Sequence, residues 1–401
     1  MDLALQFGYG MGQLAVELTR RWQLTQTILS PRDLDDQGLA TWAQRLNSST
    51  GLVLLDPQFY MARADHERLT NHLYWPQDYD SDHFYEHGGL ESMVTNLFEL
   101  NLRLETSQMI LPGTMAQPVS DSWLGRQRAT LAVAQRAING RMPLAMTICM
   151  SAESLRDIAQ VQLVLEQDRE LDYLTAYVVV EHPNQSYRVH DPVWLANLLE
   201  LTTGLKLHSR RVIVGYCQHQ ALILAAAAVD VVTSGTWMNV RSFVPGKFVT
   251  ALQDEIAQRQ TWYFCARSMS EYTIPYLDIA YRAGLLDDMA PQAPLPVEFA
   301  ALLFRGTLPT SVEWGEAQAF RHYLATLRTM ARGARQSTFQ TTVDSHLAFL
   351  DSAETLDESL RRAGILAGTR DFHGVFDAHR SALAIHARTR GVILSREWDR
   401  L

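Results

Sequence analysis

The chain reads as an α/β protein, a (β/α)8 TIM-like barrel with a long insertion after its third strand and a helical extension at its C-terminal end. Three observations predict this. Eight short apolar, β-rich runs recur over the first 235 positions, at 3–8, 25–30, 51–55, 108–111, 143–149, 176–180, 211–216 and 229–233. Most are separated by helical patterns such as 124–139, 154–165 and 192–203. Each run stops at polar residues, glycine or proline, as strands do where they run out into loops. Strand and helix in alternation is the pattern of a parallel sheet. Eight runs favour a closed barrel over an open doubly wound sheet, and a barrel puts its chemistry at the carboxyl ends of the strands.

Taken in order, the first run leads into Gly8-Tyr9-Gly10-Met11-Gly12. Such a loop lets backbone approach a ligand closely, but its spacing is not that of a dinucleotide fingerprint. The third run ends in Asp56-Pro57. A carboxylate there points into the barrel mouth, where it can serve as base, nucleophile or acceptor for a base edge; the plainer reading is a turn-starting aspartate. The insertion, 58–107, is rich in aromatics and histidines and is long enough to cover the mouth as a lid. His83 and His87 lie four apart with Glu86 between them, which is not the order of a metalloprotease.

The sixth run ends in Glu181-His182. An acid beside an imidazole invites an acid/base reading, although adjacent strand residues face opposite sides and only one can point inward. Cys217-Gln218-His219 closes the seventh run. With no second pair at ligand spacing, no metal site is expected, and Gln218 can read a base or amide edge. The eighth run stands in the stretch 228–243, AVDVVTSGTWMNVRSF. Ser234, Gly235 and Thr236, with Asn239 and Arg241, suit a phosphate: backbone N–H groups at the seventh- and eighth-strand loops, and a guanidinium as clamp. Alternatively Arg241 pairs with a structural carboxylate such as Asp230.

The 401 residues include 47% hydrophobic and 20% charged, an ordinary globular balance, with formal net charge −9 and pI about 5.8. No global basic field draws the chain to nucleic acid or acidic membranes. Lys206 and Lys247 are the only lysines, and neither lies in a strand run, which speaks against Schiff-base chemistry. Three scattered cysteines argue against disulfides and against an iron–sulfur cluster. The absence of a leader pattern and of a long apolar run leads to the expectation of a cytoplasmic protein that does not span a membrane. A Pro-dotted segment, 291–309, reads as the edge of the barrel, giving a barrel unit at 1–300 and a helical unit at 301–401. From Ser311 onward charge balances at +1, against −10 before it, which makes the tail the candidate surface for a protein partner.

Two of these segments carry a resemblance. The third run, GLVLLDPQFY, resembles the strand of tRNA-guanine transglycosylases that delivers an active-site aspartate, with Asp56 at that position and Phe59 at a neighbouring phenylalanine. AVDVVTSGTWMNVRSF is similar to the family's last strand, Val229-Asp230 matching its Val-Asp and Arg241 falling near a turn arginine. The DNA-acting 7-deazaguanine transglycosylases of this superfamily are the nearer comparison. The resemblance implies a barrel that handles a nucleobase or nucleotide in nucleic acid, with Asp56 as nucleophile or base and the base taken out of its stack; with Glu181 from the sixth run, Asp56 makes the candidate catalytic pair, and no cofactor is expected. Two departures stand against it. Thr233 occupies the place of the family's nucleophilic aspartate, and a hydroxyl needs an adjacent base to attack. The cysteine-rich zinc motif after the barrel is missing too. The other readings are a non-catalytic barrel subunit of a nucleic-acid-processing complex and an unrelated barrel enzyme acting on a small phosphorylated metabolite.

Overall fold

The computed structural model describes residues 1–77, 79–86, 88–250 and 260–401. Eight parallel strands, β1 (Asp2–Gln6), β2 (Gln26–Leu29), β3 (Leu52–Leu55), β4 (Met109–Ile110), β5 (Leu144–Met150), β6 (Thr175–Val180), β7 (Arg211–Val214) and β8 (Val231–Ser234), form one sheet. Its order is β3-β2-β1-β8-β7-β6-β5-β4. The two edges meet where the Ser107 amide donates to the Val53 carbonyl at 2.8 Å, so the sheet is a nearly closed barrel. Each predicted run falls on a strand. The runs are almost wholly apolar because a strand covered on both faces has no reason to alternate; all six residues of β6 are buried.

Helices α1 (Gly12–Trp22), α2 (Asp36–Asn47), α3 (Gly89–Arg103), α4 (Asp121–Ile138), α5 (Ile158–Asp168) and α6 (Pro192–Leu207) follow the first six strands. Their starts are written in the sequence. Asp35 accepts from the Gly38 amide at 2.7 Å, Ser120 from Trp123, and Asp191 from Val193 and Trp194 just ahead of Pro192. The insertion 58–107 includes α3 and is held down by aromatics, the ring of Phe59 meeting Trp75 at 5.1 Å and Phe84 at 5.8 Å.

After β7 and β8 the pattern changes. A run of 3-10 helix, His219–Ala227, follows β7, and among the described residues no α-helix follows β8 directly. An antiparallel hairpin, β9 (Trp262–Cys265) and β10 (Ser270–Thr273), forms a sheet of its own; Phe264 packs into the barrel core, while Tyr263, Cys265 and Tyr272 form a separate cluster with Ala300 and Leu303 of the segment 291–309, which is therefore not a barrel edge. The outer ring is completed by the C-terminal helices α7 (Glu316–Ala334), α8 (Phe339–Arg362) and α9 (Phe376–Glu397). Helix α7 lies against β1, where Arg328 and Arg332 pair with Asp2 at 3.3 and 2.8 Å. Helix α9 lies along α6, and Arg390 clamps Glu200 through both carboxylate oxygens.

This explains the composition of α6, which is apolar on all sides and buried from Trp194 to Lys206. A helix that is hydrophobic all round must be covered all round. The boundary drawn at residue 300 is therefore not a break in packing: Tyr323, Leu327, Phe339, Leu383 and Leu394 belong to the same core as the barrel strands. No helix among the described residues is long and apolar enough to cross a membrane.

The seam between barrel and tail is lined by buried histidines. Gln220 spends Nε2 on the Val189 carbonyl and on His379 Nε2, 3.2 Å away, and His379 Nδ1 lies 3.2 Å from His346 Nε2. Since an amide nitrogen only donates, His379 must accept at Nε2 and donate from Nδ1. Both rings are then neutral, and a proton on either leaves two donors facing each other. Burial holds His219, His322, His346 and His386 at about 4 and His379 lower still, against an ordinary 6.5. The folded state thus binds fewer protons than the unfolded chain between these values. Stability should be full above pH 6.5 and fall as the pH drops toward 4. Asp56 and Asp357, whose carboxyls are raised by burial, work in the opposite sense but are two groups against five. Urea denaturation should give a markedly lower midpoint at pH 5 than at pH 7; an unchanged midpoint would refute the neutral seam.

Candidate functional site

Asp56 stands one residue past β3, inside the barrel and 1% exposed. Its Oδ2 accepts three phenolic hydroxyls, from Tyr60 at 2.6 Å, Tyr216 at 2.8 Å and Tyr177 at 3.1 Å. Its Oδ1 accepts the Gln58 amide at 2.9 Å. Burial pushes the carboxyl up, and the four donors pull it partly back. The phenols are pushed up in turn by burial and by the carboxylate they face.

Local backbone is bent to make this centre. Tyr216 and Gln58 both sit in the left-handed region, at φ 55, a conformation that costs about 1–3 kcal/mol for a side-chain-bearing residue. Gly215 has to be glycine, because a Cβ there would lie 2.7 Å from the Tyr177 hydroxyl. Gln58 closes the network, donating to Ser30 at 2.8 Å and to Tyr216 at 3.1 Å while accepting from the Arg32 amide. Above the carboxylate lies an aromatic cover. Tyr60 meets Phe243 at 4.9 Å and Phe248 at 5.3 Å edge-on, and Phe243 meets Phe248 at 5.4 Å.

Thr233, at the position matching a nucleophile, is buried in β8. Its hydroxyl donates to Gln6 Oε1 at 2.8 Å and accepts from the Tyr216 amide at 3.0 Å. Neither neighbour is a base. Glu181 follows β6 and accepts from the Ala152 amide at 3.1 Å, at the start of the short helix Ala152–Arg156, with no hydrogen bond to Asp56. His182 is the more buried of the two, bonded to the Ser186 carbonyl at 3.1 Å and held at about 4 by burial.

The turn after β8 is filled by the protein itself. A Cβ on Gly235 would lie 2.4 Å from the Gln6 carbonyl and 2.4 Å from Val240, and one on Gly8 would lie 3.0 Å from Val240. These glycines admit the Val240 side chain, which occupies the space between the ends of β1 and β8. Arg241 is turned away from the mouth. Its Nε donates to the Gly235 carbonyl at 2.8 Å, its plane lies 3.5 Å over the Tyr323 ring, and it pairs with Glu271, which Arg370 also holds at 2.6 Å. The two guanidiniums bring Glu271 down to about 2 despite its burial. Asp230 pairs with Lys206 at 2.9 Å instead. Ser234 Oγ, Thr236 Oγ1 and Asn239 Oδ1 are buried without a hydrogen-bond partner.

Gln218 does not reach the mouth. It caps the 3-10 run and donates to Gln220 Oε1 at 2.7 Å, on the tail side of the barrel. Cys217 Sγ lies 3.4 Å from the Val214 carbonyl and His219 Nε2 lies 2.9 Å from the Met269 carbonyl, so the two do not share a ligand. Of the lid histidines, His83 pairs with Asp80 at 2.8 Å, and His87 lies outside the described residues. No group of three His, Cys, Asp or Glu side chains among the described residues is placed to hold a metal.

The residues that shape the centre besides Asp56 were not singled out in the sequence: Tyr60, Tyr177, Tyr216, Gln58 and Gly215. The one available signal was a phenol inside each of two otherwise apolar runs, since a buried tyrosine hydroxyl requires a partner. Compared with known proteins, the chain matches no family model and no curated relative.

The network predicts a graded cost. Asp56→Asn can keep its oxygen among the phenols only by turning its amide onto the Gln58 N–H, so it should destabilise by about 1–3 kcal/mol. Gly215→Ala should displace Tyr177 and lower stability by a similar amount. Tyr177→Phe, which removes one donor of four, should cost about 1 kcal/mol. Urea denaturation checks all three, and an Asp56→Asn variant as stable as the parent would disprove the keystone role.

Proposed function

We propose that the chain is a transglycosylase-like barrel that binds a nucleotide or a nucleic-acid segment, and that it acts as a binding subunit of a nucleic-acid-processing assembly instead of exchanging a base itself. The two segments resembling base transglycosylases support the nucleic-acid side of the reading. The observation that carries the non-catalytic side is Asp56. A carboxylate that attacks an anomeric carbon, or draws a proton from a base, must reach the substrate within hydrogen-bond distance. Here its oxygens are taken by four internal donors and covered by Tyr60, Phe243 and Phe248. Thr233 has no base beside it to make it a nucleophile.

A partner chain would meet the outward side of the tail, because its inward side is spent on the barrel. Ile385, Val392 and Ile393 stand exposed there on α9.

One observation favours the enzymatic reading instead. The Asp56 carboxyl is raised, as suits a general acid, and it lies at a strand's carboxyl end beneath a cover made of loop side chains. Incubation with single-stranded or duplex nucleic acid and a labelled guanine or 7-deazaguanine separates the two. The expected outcome is binding of the nucleic acid without incorporation of label. Incorporation that disappears in Asp56→Asn would establish base exchange and overturn the binding-only reading.

A further inference from the structure

Beside the sealed centre is a cleft of about 400 Å³, walled by the loop after β3 (Tyr60 to Ala64), the loop after β4 (Thr114, Met115 and Gln117), Tyr79 of the insertion, Arg126 of α4, and Val249. It lies at the carboxyl end of the strands, where barrels hold ligands, and its volume is that of a small-molecule site. Tyr60 is the wall it shares with the centre, lining the cleft and donating its hydroxyl to Asp56.

Two cations line it, Arg63 and Arg126, and neither forms an ion pair among the described residues. Both lie close enough to Tyr79 to act on the same phenol against its burial. Tyr79 is fixed by its ring, which meets Phe84 at 5.0 Å and Phe59 at 5.8 Å. Arg126 lies 5.5 Å over the Tyr85 ring, which holds its plane in place. The arrangement is two guanidiniums, anchored phenol rings, and the hydroxyl and amide of Thr114 and Gln117. In a chain of net charge −9, two cations line the cleft with no carboxylate among its described lining residues, Asp80 acting on Tyr79 from beside it, and they make a local positive well.

We propose that this cleft is an anion site that receives the phosphate group of a nucleotide, Arg63 and Arg126 forming the clamp and the aromatic wall taking the base or sugar. Guanidiniums match phosphate oxygens two at a time, and an aromatic face accepts any base. The inference rests on the proposed function for the nucleotide and on the cleft alone for the phosphate. The phosphate is thereby moved from the turn after β8, where Val240 fills the space, to the loops after β3 and β4.

The test is titration calorimetry on the full chain with a 5′-nucleoside monophosphate, the matching nucleoside, inorganic phosphate and a short single-stranded oligonucleotide. The monophosphate should bind at least about tenfold more tightly than the nucleoside, and Arg63→Ala and Arg126→Ala should each weaken it at least about tenfold. Arg126→Lys should recover only part, and Arg388→Ala on α9 should bind as the parent does. Tighter binding of the monophosphate assigns a free nucleotide; tighter binding of the oligonucleotide, lost in the same two variants, assigns a strand. If a phosphate-bearing probe binds and neither variant changes it, this cleft is not the site while the proposed function stands. If no phosphate-bearing probe binds, both fail. Circular dichroism of each variant confirms that the fold is kept.

Discussion

One carboxylate oxygen, Oδ2 of Asp56, accepts hydroxyls from three separate parts of the barrel, and the rest of the mouth is arranged around it. Tyr177 comes from β6, Tyr216 from the bend after β7 and Tyr60 from the loop after β3. A charge or a proton-bearing carboxyl taken out of water needs such partners, because an unpaired polar group in a dry interior is costly. The partners in turn require the backbone to bend. Gln58 and Tyr216 accept left-handed conformations, and Gly215 gives up a side chain so that a phenol can pass. Strain of this kind persists only where the surroundings fix it. Here the surroundings are the hydrogen bonds themselves.

The second constraint is on the outside. Among the described residues no α-helix directly follows β7 or β8, and a barrel strand without an outer layer would leave apolar residues in water. Helices α7 and α9 return from the far end of the chain to pack on β1, on the 3-10 run after β7 and on α6. The seam they close contains polar groups that match only when neutral, the Gln220–His379–His346 chain being the clearest. The tail is thus part of the barrel's own core on one side and free for other contacts on the other.

Much of the fold was legible because the runs are short, apolar and punctuated by polar residues, glycine or proline, and each became a strand. The position of Asp56 was legible for the same reason: a carboxylate where an apolar run stops must lie at a strand end. What the sequence hid was which neighbour each polar residue would choose. Arg241 pairs with Glu271, thirty positions on, which shares it with Arg370, ninety-nine further. No local pattern announces such a trio. Gly8 read as part of a loop that admits a ligand and Gly235 as part of a phosphate site, because glycine marks close approach, but what approaches both is Val240. Tyr177 and Tyr216 lie within apolar runs and are buried, and nothing local shows that their hydroxyls meet on Asp56. The Pro-dotted segment 291–309 read as the barrel's edge, and Ala300 and Leu303 pack instead with Tyr263 and Tyr272 of the hairpin β9–β10 in a cluster apart from the barrel core.

These corrections bear on where a ligand can sit. An open barrel binds at the centre of its mouth, among the strand ends. In this chain that centre is consumed by its own side chains: Val240 between β1 and β8, and the aromatic cover over β3, β6 and β7. A space lies to one side, over the loops after β3 and β4, and Arg63 and Arg126 stand there with no carboxylate among its described lining residues. Tyr60 belongs to both places. A ligand pressing on Tyr60 in the cleft would act on the shortest of the hydrogen bonds that hold Asp56. The sealed carboxylate and the open cleft are therefore coupled through one side chain, so occupancy of the second is physically able to alter the first.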